Sequence, residues 1–275
     1  MAWRGTLSLR YSRQAARTVV HDRHDGPLRI LRSFYPEGGA CHNVLVHPPG
    51  GLVGGDSLHV DVDLAEGTHA LLTTPGATRF YRSLGAVAEQ DLSVKVGAGG
   101  RFEWLPLETL AYSGCIAENR MRFELGPGAE MIGWDVTALG LPASGQPFVA
   151  GSFAHRIELP WRWLERCAVA AADARLLDSP LGWAGHRVLA TLWFAAGSPL
   201  NENRREGLLD RARAVCTGSG LARSSGATSP QSGVVVVRAL ADRVEPVMQM
   251  LTKIWAGWRP LAWAMAACPP RVWRT

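Results

Sequence analysis

Alternating apolar and polar positions dominate the first two thirds of the chain and predict β-strands. The clearest alternation lies at 58–64, where every second residue is apolar and Asp61 and Asp63 fall on the solvent side. Turns rich in glycine and proline separate such segments. Further strand-like segments lie at 6–9, 29–31, 70–74, 92–96, 102–104, 121–125 and 131–134. The pattern predicts a mainly β protein.

An internal repeat runs through the strand-rich region. The segments 63–72, 95–104 and 124–133 align without gaps and place Gly67, Gly99 and Gly128 together. The alignment also groups apolar positions before and after the turn: Leu64, Val96 and Leu125, then Ala70, Phe102 and Met131. A strand, a glycine turn and a strand recurring at about 30 residues indicates stacked β coils, because each unit buries its apolar row against the next. Ordinary hairpins of a β-sandwich are the alternative.

The periodicity becomes helical in the last third of the chain. Apolar residues fall at helical spacing within 199–217 and within 242–258, and the second stripe ends near Arg259 and Pro260. The intervening segment 218–233 is rich in glycine and serine and predicts a mobile loop. We therefore expect one domain over 1–275, with two helices packed against a stacked β-strand core that resembles a β-helix or solenoid.

Composition narrows the classes of protein. The formal net charge of +5, from 29 Lys and Arg against 24 Asp and Glu, is scattered along the chain, which argues against a nucleic-acid binder. No run of eighteen apolar residues occurs and the N-terminus is charged, so we expect a cytoplasmic protein without a membrane span or signal peptide. The eleven tryptophans are expected to lie mostly in the core. The five cysteines are widely spaced, which predicts reduced and mostly buried thiols.

Familiar catalytic and metal-binding motifs do not occur. The glycine-rich turn at 50–55 has no lysine after it and leads into a strand, so it is not a phosphate loop and the chain is not expected to hydrolyse GTP. Ser113 and Ser144 lack the context of a hydrolase nucleophile, although sequence leaves open a triad assembled in space. The eight histidines show no closed-site metal spacing, and for each a surface or hydrogen-bonded core position is favoured.

Five segments in a fixed order resemble one protein family. They read P-P-G-G-L-V-G-G-D (48–56), L-L-T-T-P-G-A-T-R-F-Y-R-S (71–83), E-W-L-P-L-E-T (103–109), L-G-L-P-A-S-G-Q-P-F (139–148) and P-P-R-V-W (269–273). Together they span nearly the whole chain and resemble the urease accessory protein UreD family, also called UreH. The chain departs from the family pattern at four positions, which carry Arg79 for Lys, Leu107 for Gln, Tyr112 for Phe and Leu141 for Arg.

The resemblance implies a function that the composition alone does not reach. It implies a non-catalytic scaffold that binds urease apoprotein, the accessory protein UreF and, through UreF, the GTPase UreG. Such a scaffold assists GTP-dependent nickel insertion into urease, with no tightly bound cofactor and with transient Ni²⁺ in a passage through the β core. The alternatives are a nickel carrier with its own tight site and a β-fold hydrolase.

Candidate site residues follow from positions that match the family. Asp56, Glu108 and Asp135 each lie beside bulky apolar residues, where an unpaired carboxylate is costly. Either a structural hydrogen bond or a place along a weak metal route explains them, and weak ligands suit a metal that must be released. The candidate partner-binding segment mixes arginine with aromatic residues, as interface hot spots do, and a buried cation–π contact is the alternative. Its residues are Arg79, Phe80, Tyr81 and Arg82.

Overall fold

Strands make up most of the regular structure in the computed structural model, which describes residues 2–274. The first strands are β1 (Arg4–Gln14), β2 (Arg17–Asp25), β3 (Arg29–Ile30), β4 (Cys41–Val46), β5 (Ser57–Leu64), β6 (His69–Thr73), β7 (Thr78–Phe80) and β8 (Ala88–Val96). The others are β9 (Arg101–Trp104), β10 (Thr109–Ala111), β11 (Ile116–Leu125), β12 (Glu130–Leu139), β13 (Ser152–Leu159), β14 (Trp163–Ala170), β15 (Val188–Ala196), β16 (Ser225–Gln231) and β17 (Val234–Ala241). The α-helices are α1 (Ala174–Asp178), α2 (Glu202–Thr217) and α3 (Val244–Trp263).

Successive coils of the chain stack with parallel strand pairing. The strands β5, β6 and β7 form one coil, and β8, β9 and β10 lie against them in parallel, followed by β11 and β12. Leu64 pairs with Val96 and Val96 with Leu125, while Phe102 pairs with both Ala70 and Met131. This register is the gapless alignment of the sequence repeat. The solenoid-like prediction is therefore confirmed over the repeat.

The repeated glycines make the turns between the strands of each coil. Gly67, Gly99 and Gly128 have φ of +65°, +62° and +66°, a left-handed conformation that glycine adopts without the steric cost of a Cβ. The amide of Gly67 donates to the carbonyl of Ala98, and that of Gly99 to the carbonyl of Pro127, each at 3.0 Å. The turns therefore stack on one another as the strands do.

The coils form two extended sheets. The first sheet has seven strands in the order β14-β13-β11-β8-β5-β1-β2. The second has ten strands, in the order β16-β17-β15-β12-β9-β6-β4-β3, with β10 joined to β12 and β7 joined to β10. Asp61 and Asp63 on β5 are exposed on the outer face of the first sheet, as the alternation predicts.

Two apolar layers cover the two faces of the second sheet. One layer joins the inner faces of both sheets, with Val62, Phe102 and Trp193 among its members. The other joins the opposite face of the second sheet to the helices, with Trp134 and Trp255 among its members. Seven of the eleven tryptophans are buried, which confirms the expectation that most are core. All five cysteines are free, and three of them are buried.

The two long helices pack against each other and the second sheet. Asn201 caps α2, because its side chain accepts a 2.8 Å hydrogen bond from the Arg204 amide. The indole of Trp258 on α3 donates to the Leu208 carbonyl of α2 at 2.8 Å. Among residues 2–274, no helix is both long enough and apolar enough to cross a membrane.

Two local predictions are corrected, and one short helix was not predicted. The second long helix runs to Trp263 rather than ending near Pro260, because the helix tolerates one missing amide there and stops only at the left-handed Ala264. The segment 218–233, expected to be a mobile loop, contains β16, which pairs with β17. Its small and polar residues suit a strand at the sheet edge. The short helix α1, capped by Asp173, was not predicted.

Candidate functional site

Three polar side chains form a row on the inner face of the first sheet. The register of β8, β11 and β13 aligns Gln90 with Asn119 and Asn119 with His155. Each occupies a strand position that otherwise carries apolar side chains facing the second sheet. Because neighbouring strands lie about 4.8 Å apart, the three side chains line up across the sheet.

A second polar row faces it from the second sheet. Pairing of β12, β15 and β17 aligns Asp135 with Thr191 and Thr191 with Arg238. Glu165 on β14 lies between this row and the first one, next to both Thr191 and His155. We call the two rows with Glu165 the polar seam. Its residues are Gln90, Asn119, Asp135, His155, Glu165, Thr191 and Arg238.

Contacts along the first part of the polar seam are long. Gln90 Nε2 donates to Asn119 Oδ1 at 3.3 Å, and Asn119 Nδ2 donates to Asp135 Oδ1 at 3.4 Å. His155 Nδ1 lies 3.7 Å from Asp135 Oδ2, and His155 Nε2 lies 3.7 Å from Glu165 Oε1. The last two separations exceed normal hydrogen-bond lengths, so the imidazole stands between two carboxylates without closing onto either.

Each end of the polar seam adjoins an open space. Gln90 lines a cavity of about 220 Å³ together with His47 and Arg79. At the other end, Arg238 is half exposed and lines a surface pocket of about 540 Å³. Arg238 Nε donates to Glu165 Oε2 at 2.7 Å. The polar seam thus crosses the apolar layer between the sheets from one space to the other.

Burial and charge set the protonation of the central groups. Burial raises the pKa of Asp135, with His155 and Thr137 opposing the shift. Burial opposes ionisation of Glu165, but His155, Thr191 and Arg238 together lower its pKa to about 2. Burial also disfavours the charged form of His155, yet Glu165 and Asp135 on its two sides raise its pKa. The two acidic neighbours, Glu165 and Asp135, therefore favour the protonated, positively charged form of His155.

One buried atom of the polar seam lacks a hydrogen-bond partner. His155 Nε2 is enclosed and has no partner within hydrogen-bond range, although most buried polar groups in proteins are paired. Within the described residues no group of three or more His, Cys, Asp or Glu side chains is close enough to hold a metal ion. Imidazole and carboxylate are nevertheless donors that first-row divalent cations accept.

The predicted metal candidates occupy three different settings. Asp56 caps a turn, since its two carboxylate oxygens accept the amides of Trp3 and Val53 at 2.8 and 2.9 Å. Glu108 is half-buried, and its carboxylate has no ion pair or hydrogen bond within residues 2–274. Asp135 is buried at the centre of the polar seam. A role in metal transit stays a prediction for all three, and of the three only Asp135 contacts seam residues.

The predicted partner-binding segment is partly accessible. Phe80 is fully buried and packs edge-to-face on Phe153, so it supports the segment from inside. Tyr81 stacks edge-to-face on Tyr112 and is half-buried. Arg79 lines the cavity beside Gln90, and Arg82 is exposed. The four cation–π contacts of residues 2–274 involve other arginines, and the role of this segment in binding stays a prediction.

A second buried polar cluster ties α3 to the coils. The guanidinium of Arg259 is fully buried between Glu37 and Glu103, with its Nη1 atom 2.6 Å from Glu37 and its Nε atom 3.2 Å from Glu103. His42 and His69 complete the cluster by contacting Glu37 at 2.6 Å and Glu103 at 2.8 Å. These charges compensate one another, which indicates a structural role.

Sequence reasoning missed several residues of the polar seam. His155 lies in S-F-A-H-R-I-E-L, where Phe153, Ile157 and the histidine share one phase of the alternation. Asn119 similarly occupies an apolar phase of β11. A polar residue in the buried phase of a strand is the signal that identifies such positions.

Comparison with known proteins places the chain in a family. The model of the family described as UreD urease accessory protein matches residues 4–274. The chain is 57% identical over 278 residues to the urease accessory protein UreD of Leptothrix cholodnii, with all of both chains covered. It is 56% identical over 276 residues to that of Variovorax paradoxus and 52% identical over 296 residues to that of Methylibium petroleiphilum, again over the full length of both. The chain belongs to the UreD family of urease accessory proteins, which gives it a role in urease maturation.

Proposed function

We propose that the protein is a non-catalytic, cytoplasmic scaffold for nickel insertion into urease. It binds urease apoprotein and UreF, reaches the GTPase UreG through UreF, and lets Ni²⁺ pass along the polar seam during GTP-dependent insertion. Nickel is cargo in this scheme, and no cofactor is held tightly. The observation that supports the passage is the buried row of Asp135, His155 and Glu165 with its 3.7 Å gaps.

Weak and incomplete ligation is what transit requires. Nickel stands high in the order of affinity for nitrogen and oxygen donors, so a closed site with several histidines would retain it. In the polar seam, one imidazole and two carboxylates offer donors in series rather than around one point. Successive partial sites permit movement, as in conduction paths where each binding step is weak enough for release.

The carboxylates also reduce the cost of placing a cation in the interior. A divalent ion in a purely apolar layer would lose its hydration without compensation. Glu165 remains ionised because its pKa is about 2, and Asp135 supplies a second oxygen pair. Before a cation can use the imidazole, His155 must release its proton, so metal movement and proton release are coupled.

The test is an activation assay with purified components. Urease apoprotein is incubated with Ni²⁺, GTP, bicarbonate, UreF and UreG, with and without this chain, and nickel content and urease activity are measured. We expect both to depend on the chain. Equal activation without it would contradict the maturation role.

Titration of the isolated chain with Ni²⁺ separates a scaffold from a carrier. A scaffold with a transit route should show no tight stoichiometric binding. One equivalent bound tightly enough to survive gel filtration would favour the alternative of a stand-alone nickel carrier.

A further inference from the structure

Trp161 projects fully into solvent from the turn between β13 and β14. Its side chain is 99% exposed, whereas seven other tryptophans are buried. The Arg162 amide donates to the Leu159 carbonyl at 3.0 Å, which closes a four-residue turn with Pro160 and Trp161 at its centre. An indole of this size gains nothing from complete exposure in the isolated chain.

The backbone at Trp161 is also unfavourable for a bulky residue. Its φ is +64°, and it follows proline in the position of a type II turn where glycine or asparagine is usual. Strained backbone that holds an exposed anchor residue occurs at ligand clamps and binding sites. The backbone conformation and the exposure of Trp161 therefore indicate independently that its side chain contacts another molecule.

The surroundings of Trp161 are apolar and positively charged. Leu164, at the start of β14, is 51% exposed. Arg162 and Arg166 flank it, and neither has an acidic partner within residues 2–274. Arg122 is 46% exposed and lines the pocket of about 460 Å³ beside Trp161. Arg122 is ion-paired with Glu124 and Glu158, so Arg166 is the exposed arginine of this surface that has no acidic partner among the described residues. A tryptophan and a leucine beside such an arginine form a composition typical of interface hot spots and suited to an acidic partner surface.

The same strand carries one end of the polar seam. Glu165 follows Leu164 directly, and its side chain points inward toward His155 while that of Leu164 points outward. Glu165 lies four positions after Trp161 in the chain, which is at most roughly 13 Å of extended backbone. A protein docked on Trp161 and Leu164 would therefore sit beside the end of the seam at Glu165 and Arg238.

We propose that Trp161, Leu164 and Arg166 dock onto urease apoprotein, in an apolar pocket with an acidic rim. This proposal rests on the proposed function, because it takes urease as the receiver of the nickel. In the proposed scheme Ni²⁺ leaves the polar seam at one of its two ends, and the receiver must dock there. The end at Gln90 adjoins Arg79 of the candidate partner-binding segment, whereas the end at Glu165 adjoins the Trp161 surface. The indole supplies the anchor, and the exposed Arg166 supplies charge complementarity.

The test measures binding of full-length variants to purified urease apoprotein by biolayer interferometry at two salt concentrations. Trp161→Gly removes the anchor and suits the positive φ, so the variant should fold at least as stably as the wild type. We expect it to weaken binding by at least about tenfold. Arg166→Glu should weaken binding and reduce its salt dependence. The control is Arg10→Glu on β1, near the opposite edge of the same sheet, which should change neither the affinity nor its salt dependence.

The outcomes separate this inference from the proposed function. If the wild-type chain does not bind urease apoprotein, the proposed function fails. If the wild type binds and Trp161→Gly binds equally well, only the docking surface is wrong. Loss of binding to UreF alone, or loss of self-association measured by light scattering, would assign the surface to another occupant and overturn the inference.

Discussion

The Nδ1 atom of His155 lies 3.7 Å from Oδ2 of Asp135, across the space between the two β-sheets. One residue comes from β13 of the first sheet and the other from β12 of the second. The pair therefore bridges two layers that otherwise meet through apolar side chains. Because the two side chains do not hydrogen-bond to each other, both are available to a cation such as Ni²⁺. The first two predictions depend on this availability.

Asp135→Asn should lower nickel incorporation into urease on the order of tenfold, as loss of a group supporting metal binding commonly does. The amide keeps the shape of the side chain and a neutral hydrogen-bonding group toward Asn119, so complex formation should persist. Nickel per urease active site, measured by mass spectrometry of the metal, checks this. The control is Asp61→Asn, an exposed carboxylate on β5. Equal incorporation by the two variants would contradict a role for the polar seam in transit.

Nickel incorporation should increase as pH rises above about 6.5, because the pKa of His155 is raised above this usual value. Below the raised pKa the imidazole carries a proton and repels the cation, and above it the neutral ring can act as a ligand. His155→Gln should flatten this dependence. The ratio of wild-type to variant incorporation, measured between pH 6 and 8.5, corrects for the pH response of other components. A constant ratio would exclude His155 as the titrating group.

Glu37→Gln should destabilise the protein at pH 7 by about 3 kcal/mol, because it leaves the buried Arg259 with one carboxylate fewer. Burial opposes ionisation of Glu37, but His42 and Arg259 lower its pKa to about 2. A lowered pKa contributes stability above the unfolded value, near 4.3, and this stability is lost as pH falls toward 2. Urea unfolding at pH 7, 4 and 3 should show a shallower acid loss in Glu37→Gln. Exposed Glu202→Gln is the control, and parallel curves for wild type and Glu37→Gln would contradict the assignment.

Gly197→Ala should destabilise the fold far more than Gly99→Ala. A Cβ on Gly197 would lie 1.8 Å from the carbonyl oxygen of Gly126, so the backbone must shift, at a cost of about 3 kcal/mol or more. A Cβ on Gly99 meets open space, and only the left-handed conformation opposes it, at about 1–2 kcal/mol. Chemical denaturation gives both values. A larger loss at Gly99 would contradict the stacked-turn geometry.

Arg82→Glu should weaken binding to at least one of urease apoprotein and UreF without changing stability, because the side chain is exposed and its neighbour Phe80 keeps its core contact. Pull-down with each purified partner measures binding, and thermal unfolding measures stability. Arg4→Glu, an exposed arginine on β1, is the matched control. Unchanged capture of both partners would contradict a role of the segment 79–82 in partner binding.

The repeat could be predicted because it depends on local rules. The glycines at 67, 99 and 128 mark left-handed turns, and the gapless alignment around them equals the strand register. Helix positions followed from apolar spacing for the same reason. Segment 218–233 was mistaken for a loop because pairing with β17, a tertiary contact, stabilises β16 despite its weak strand composition.

The polar seam could be predicted only in part. Asp135 stood out because a carboxylate beside tryptophan and valine is unusual. His155 and Glu165 lie 20 and 30 residues later on other strands, and only the packing of one sheet on the other brings them to Asp135. Asp56 looked equally unusual in sequence, yet the backbone amides of Trp3 and Val53 satisfy it. A sequence shows that a buried acid needs a partner but not which partner it has.

In the proposed function, the coil architecture also fixes the distance that Ni²⁺ travels along the polar seam. Gln90, Asn119 and His155 occupy the same level of three adjacent strands, so the row advances by one strand spacing, about 4.8 Å, per side chain. The length of the row can therefore change only in steps of one strand spacing. A relative with one more or one fewer coil would have a polar row longer or shorter by one strand spacing. The side chains on the other strands of the row would be unchanged.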